Sequence, residues 1–314
     1  MLRRKALRKI LITTFTLFTL FVIYIIPEKV NQHYLEPDIE VEYVTSLGTN
    51  EIYLLGPNKY LVKTNVLLND ESFESKIRSI IDYLTVNKSE KLPVGLEGII
   101  PTNTKINKIS LDEGIVTVDF SKELLNVLPS LEERLIEAIS YSIMNLPEVK
   151  GVTILIDSTN LDTLPQSKKK LPNIITKDFG INKVYDIDNR NSIQKVTLYY
   201  IDNINNNHYY VPVTKYINDD REKVSIIIDN LSSNYLYDSS LMSYLSGDTE
   251  LINYQIEDEL MLLNFNNSIF TNDKLLEEVS YTIAYSIFDT YDVNTVLLES
   301  NGKEIAKIEK DNTK

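Results

Sequence analysis

Any chemistry in this 314-residue sequence would have to be built without cysteine, so thiolate nucleophiles, disulfides and every Cys-containing metal site are absent. Only two histidines remain, His33 and His208. His33 lies in a polar, irregular stretch, and His208 follows a run of asparagines that reads as a hairpin tip. Neither position suggests burial against a base or an orienting carboxylate, which a triad or a metal site would need. Asp119 is the sharpest carboxylate, because it alternates with the apolar Val118 and Phe120 at a strand end. A general base is one reading; capping the turn or helix that follows is the better one. Asp82 and Asp229 recur at one helix position and read as solvated polarity. Of the 20 tyrosines, Tyr199, Tyr200, Tyr209 and Tyr210 could form a contact or carbohydrate-stacking surface, although alternation puts half of them in the core. There is no Gly-rich phosphate loop and no G-x-S-x-G. The expectation is therefore no catalytic, cofactor-binding or metal-binding residues, no cofactor, and a protein that is not an enzyme.

The elements that would position these side chains are strongly periodic after residue 50. Ile52 to Leu55 and Tyr60 to Val66 read as strands joined at Gly56, Pro57 and Asn58. Phe73, Ile77, Ile80, Ile81 and Leu84 make a helical stripe. Asn107 to Leu111 and Val116 to Phe120 alternate across a turn at Asp112, Glu113 and Gly114. Leu131, Leu135, Ala138, Ile139 and Ser142 give a second helix, stopped near Pro147, and Val152, Ile154 and Ile156 a closing strand. The predicted order is ββαββαβ, an α+β module with helices packed on a small sheet.

The second half repeats the first. Val224, Ile227, Ile228, Asp229 and Leu231 fall 147 positions after Ile77, Ile80, Ile81, Asp82 and Leu84. Met261, Leu263, Asn264 and Phe265 fall 145 after Val116, Val118, Asp119 and Phe120, and Tyr285, Ser286 and Ile287 fall 144 after Tyr141, Ser142 and Ile143. An ordered series with so little drift means a duplicated domain. The shared positions are overwhelmingly apolar. Residues 158–194, with Pro165, Lys168 to Lys170, Pro172 and Gly180, read as a linker whose lysine run is a solvated face.

The beginning of the chain is different. Arg3, Arg4, Lys5, Arg8 and Lys9 precede seventeen uncharged residues, Ile10 to Ile26, at the short end of what spans a bilayer. The basic flank predicts a cytoplasmic N-terminus, and the lack of a small-x-small site after the run predicts an uncleaved signal anchor. The expected organisation is a cytoplasmic segment 1–9, a transmembrane helix 10–26, a stalk 27–50, a first domain 51–157, a linker 158–194, a second domain 196–308 and a polar tail 309–314. With a net charge of −13, and −18 beyond the basic segment, a nucleic-acid ligand is excluded.

Leu92-Pro-Val-Gly-Leu-Glu-Gly-Ile-Ile-Pro101, the hairpin ending Val116 to Ser121, and Val149, Lys150, Gly151 and Val152 resemble the GerM domain family of spore-forming bacteria. The likeness covers 51–157, and 196–308 more loosely; in the second copy Leu241 stands where Leu96 does, Ser246 replaces Pro101 and Asn264 replaces Asp119. Leu171 to Asn182 resembles the join of tandem members. The resemblance implies a non-enzymatic envelope domain, often tandem and lipid-anchored, tied to sporulation and germination, with a fold similar to ring-building modules of secretion-like assemblies. A transmembrane anchor would depart from the lipid-anchored members. The expected function is a membrane-anchored extracytoplasmic scaffold whose partners are other envelope proteins or copies of itself, the alternative being a ligand-sensing module that binds a wall fragment or regulates a membrane partner.

Overall fold

The computed structural model describes residues 49–68, 72–88, 92–233 and 240–310, together with 9, 13–15, 17 and 18. The chain divides into two units, Met1–Leu47 and Gly48–Lys314. The stalk up to residue 48, His33 and most of the expected membrane segment lie outside the described residues, among which no helix is long and apolar enough to cross a membrane; the last two residues assigned to the stalk, Thr49 and Asn50, already belong to the first strand.

The first copy opens with an antiparallel hairpin, β1 (Thr49–Leu55) and β2 (Leu61–Leu67). Helix α1 (Phe73–Leu84) starts where the Ser72 hydroxyl accepts the Ser75 N–H, a cap that satisfies one of the orphan donors of its first turn. It buries Ile77, Ile80, Ile81 and Leu84, the stripe its sequence announces. The Leu92 to Pro101 loop then folds back on the end of α1, where the Leu84 carbonyl accepts the N–H groups of Ile99 and Ile100 at 2.7 and 2.8 Å. Gly98 permits this approach, since a Cβ there would lie 2.6 Å from the Leu84 oxygen. Strands β3 (Ile106–Asp112) and β4 (Ile115–Phe120) turn at Glu113 and Gly114, both at positive φ. Helix α2 (Glu132–Met144) crosses over to β5 (Gly151–Ile156), parallel to β4, and β6 (Thr159–Asn160) turns back antiparallel.

After a 3-10 turn, Lys177–Phe179, and β7 (Val184–Asp186), the second copy repeats every element. They are β8 (Ile193–Ile204), β9 (Asn207–Asn218), α3 (Lys223–Ser232), β10 (Leu251–Glu257), β11 (Leu260–Phe265), α4 (Glu277–Phe288), β12 (Thr295–Ser300) and β13 (Lys303–Glu309). The sheets run β3-β4-β5-β6 and β10-β11-β12-β13, and even the bulge in β3, between Ile106 and Lys108, recurs in β10 between Leu251 and Asn253. The duplication and the α+β class are thus present in three dimensions. The expected ββαββαβ order needs one correction, a sixth strand that closes each copy. It escaped sequence reading because it is short in the first copy and largely exposed in the second, where an edge strand needs little apolar patterning. Asn301-Gly302, both at positive φ, is the turn that could have revealed β13.

The stretch 158–194 does more than connect. Leu164, Leu171, Ile175 and Ile181 are buried, Ile175 bridges to Val152, and Ile181 exchanges hydrogen bonds with Thr214 of β9. One residue further on, Asn182 is fully buried at φ 49°. Its side chain accepts the Leu61 N–H at 2.9 Å and donates to the carbonyls of Leu61 and Pro212 at 2.8 and 2.7 Å, so one amide ties β2 of the first copy to β9 of the second. Its own N–H donates to Glu137 of α2, a fully buried carboxylate that also meets Arg134 at 2.8 Å and Lys183 at 3.4 Å. The β8–β9 hairpin is longer than β1–β2, and its tip rests on the first copy: Asn58 donates to Asp202, and Gly95, at φ +90°, lies so close beneath Ile204 that a Cβ would come within 2.5 Å of it. Burial on nearly every face of α2 follows from this docking, because linker and second copy cover the side its sequence pattern leaves polar.

Candidate functional site: a tyrosine-walled cleft

The carboxylates singled out in the sequence have structural partners. Asp119, 5% exposed, accepts the backbone N–H and the hydroxyl of Ser158 at 3.0 and 3.1 Å. It therefore stitches β4 to the β5–β6 turn and does not cap the following 3-10 turn, which has no side-chain cap. The donor sits there because Asp157 and Ser158, both at positive φ, turn the chain back over the strand end. Asn264 does the same in the second copy, accepting the Gly302 N–H at 3.0 Å. Asp82 and Asp229 are half-exposed helix residues paired with Lys88 and Arg221. His208 does meet a carboxylate that its sequence surroundings do not reveal, its Nδ1 lying 3.2 Å from Glu278 at the start of α4, 70 residues away. That pair is exposed, and among the described residues no cluster of three metal-ligating side chains exists.

The tyrosines converge instead. Tyr53 of β1 and Tyr141 of α2 meet edge to face at 5.9 Å, and their counterparts Tyr199 of β8 and Tyr285 of α4 stand 5.3 Å apart. Each strand tyrosine is fixed by the same device, its N–H donating at 2.9 Å to a helix serine, Ser142 in one copy and Ser286 in the other. These four residues line a cleft of about 170 Å³ where the copies meet. Tyr200 is buried, whereas Tyr210 packs on Tyr281 and Tyr285 beside the cleft.

Charge enters the cleft from several segments. Lys63 of β2 pairs with Glu51 at 2.6 Å and lies over the Tyr285 ring at 4.6 Å. Lys195 pairs with Asp178 at 2.8 Å, which holds that carboxyl below its usual range. Asp289 accepts the Tyr199 hydroxyl at 2.8 Å. Burial first, then the charge of Asp289, push Tyr53, Tyr141 and Tyr199 far up, so the walls are neutral phenols at any physiological pH. Lys177 and Lys310 also line the cleft, and among the described residues their ammonium groups make no hydrogen bond or ion pair. Burial and the neighbouring charges of Lys177 and Lys63 push Lys310 below an ordinary lysine. Four lysines against three carboxylates, Glu51, Asp178 and Asp289, leave the cleft net positive in a chain of charge −13. Sequence reading missed this site because its residues span positions 51 to 310, and Lys310, assigned to a polar tail, is held by its N–H to the Asn294 carbonyl.

Comparison with known proteins gives the wider context. A family model described as "Germane: Sporulation and spore germination" matches residues 51–162 and 197–306. The chain is 26% identical over 274 residues to the spore germination protein GerM of Bacillus subtilis (strain 168), covering 84% of this chain and 74% of that protein. The solved tandem GerMN domains of the sporulation protein GerM from Bacillus subtilis superpose with a TM-score of 0.77 at 24% identity, over 83% of this chain and 96% of that one, and share the fold. With both copies matched, the chain is a tandem GerM-domain protein and belongs to the Germane family.

Proposed function

We propose that this protein is a non-catalytic, membrane-anchored assembly protein of the cell envelope, acting in sporulation or germination, with its two GerM domains outside the cytoplasm. The family description and the name of the Bacillus subtilis relative support the sporulation link. The basic segment before the apolar run 10–26 supports the anchor and its orientation.

The observation that carries the assembly reading is the repeated open sheet edge. β3 and β10 are the outer strands of their sheets, and among the described residues nothing pairs with their outer edges. Both show the same burial pattern, and Leu111, Ile252 and Ile256 are exposed on them. An edge of this kind can add a strand from another chain through its unpaired N–H and C=O groups.

Two measurements test this. Protease added to intact protoplasts should shave the protein to a short anchored stub; a protected C-terminal region overturns the topology. Photo-crosslinkers placed at Ser110 and Gln255 should capture envelope proteins or a second copy from native membranes. Silence at both edges, with crosslinkers elsewhere on the same domains active, overturns the edge as the assembly surface. The cleft favours a second reading, a ligand-sensing module.

A further inference from the structure

We propose that the cleft between the two copies binds a small acid in which a carboxylate is carried on a six-membered ring. The inference deepens the ligand-sensing reading and does not depend on assembly.

The walls dictate the ring. Tyr199 and Tyr285 stand 5.3 Å apart at one side and Tyr53 and Tyr141 5.9 Å apart at the other, presenting flat, uncharged aromatic surface on which a planar ring or the apolar face of a sugar can lie. The volume limits the ligand to about one ring, since 170 Å³ is close to the roughly 150 Å³ cavity that accommodates benzene and below the 300 Å³ or more of drug-sized pockets.

The lysines dictate the charge. Lys63 and Lys195 already have carboxylate partners, whereas Lys177 and Lys310 have none among the described residues. Lys310 is half-buried, with its ammonium over the Phe288 ring at 5.9 Å; burial and the charges of Lys177 and Lys63 outweigh the attraction of Asp289 and Asp292, so its charge is under-compensated until an anion enters beside Lys177. A carboxylate would take a charge-assisted hydrogen bond from each of these two ammonium groups while its ring lies against the tyrosines. In a chain of net charge −13, such a positive recess also concentrates anions at a point where the surrounding surface repels them.

The test is calorimetric titration of the purified full-length chain in detergent with benzoate and with glucuronate, each beside its neutral counterpart, benzamide and glucose. The proposal expects at least one acid to bind, its neutral counterpart to bind about tenfold more weakly or not at all, and Lys177→Gln and Lys310→Gln each to weaken binding about tenfold, the worth of one charge-assisted hydrogen bond. Which acid binds separates an aromatic from a sugar ligand. Lys177 is exposed and Lys310 only half-buried, and thermal unfolding of the variants checks that they fold. No binding of either acid, equal binding of acid and neutral counterpart, or undiminished binding by the folded double variant overturns the proposal.

Discussion

Asn182 should be worth more to this protein than any other single polar side chain. Replacing it by alanine removes three hydrogen bonds from a fully buried site and strands the Leu61 N–H and the carbonyls of Leu61 and Pro212. An unpaired buried backbone group costs about 1–3 kcal/mol. Allowing for relaxation, the three together come to about 3–5 kcal/mol. Alanine must also hold φ near 49°, which adds about 1 kcal/mol relative to asparagine. The expected loss of about 4–6 kcal/mol is a large share of the roughly 5–15 kcal/mol that a domain commands. Because the lost bonds join β2 to β9, the damage should fall on the junction. Urea unfolding of the Gly48–Lys314 unit, followed by circular dichroism, should show a much lower midpoint and a transition that broadens or splits. Asn182→Gly loses the same bonds without the φ penalty and should be about 1 kcal/mol less damaging than the alanine variant. An Asn182→Ala protein that loses less than about 1 kcal/mol would refute the reasoning.

Two further predictions follow from residues of α2 and β4. Asp119→Asn should cost under about 1 kcal/mol and leave function intact, because an amide oxygen can still accept the Ser158 N–H, as Asn264 accepts that of Gly302, whereas Phe120→Ala empties a fully buried site and should cost about 3–5 kcal/mol by thermal unfolding. Acid sensitivity should divide along α2. Burial would raise Glu132, but the N–H groups of Ser167 and Gln166 outweigh it and hold the carboxyl low; its stabilisation is complete above the unfolded value and is lost as pH falls through the folded one. Glu137 is raised, by burial against the opposing charges of Arg134 and Lys183, so acidification relieves it. Urea midpoints between pH 7 and pH 4 should therefore change less steeply in Glu132→Gln and more steeply in Glu137→Gln than in the parent; equal slopes would remove both carboxylates from the acid response.

Within each copy the sequence was a good guide, because the forces there are local. The stripe Ile77, Ile80, Ile81 and Leu84 faces the core as spacing requires, and Glu113-Gly114 turns where the hairpin needs positive φ. Asp119 was legible as structural, though its partner Ser158 was not, because that bond depends on a turn 39 residues later. Nothing local could reveal that Asn182 is buried: an asparagine in a Lys- and Pro-rich stretch reads as loop, and only the approach of β2 and β9 gives its amide three partners. The lysine run was legible for the same local reason, and it remains on the surface, with Lys169 paired to Glu133.

The cleft shows why comparing the copies does not by itself exclude binding. A site built inside one copy should reappear in the other, so shared positions that are mainly apolar argue against it. A site made between the copies obeys a different rule. Its walls are shared, Tyr53 with Tyr199 and Tyr141 with Tyr285, held by the matched Ser142 and Ser286. Its charges are not. Lys63 stands opposite Tyr53 across the first hairpin, while Pro212 stands opposite Tyr199 across the second. The Asn145 that donates to the Glu51 carbonyl is matched by Asp289, which accepts from the Tyr199 hydroxyl. Pro212 lacks an N–H, and its carbonyl is one of the three groups Asn182 satisfies, so the strand position that carries a cleft lysine in the first hairpin lies at the joint between the copies in the second. Duplication supplied two aromatic walls; divergence of the residues between them supplied an uneven charge, and an uneven charge on paired walls is what a ligand with one acidic end requires.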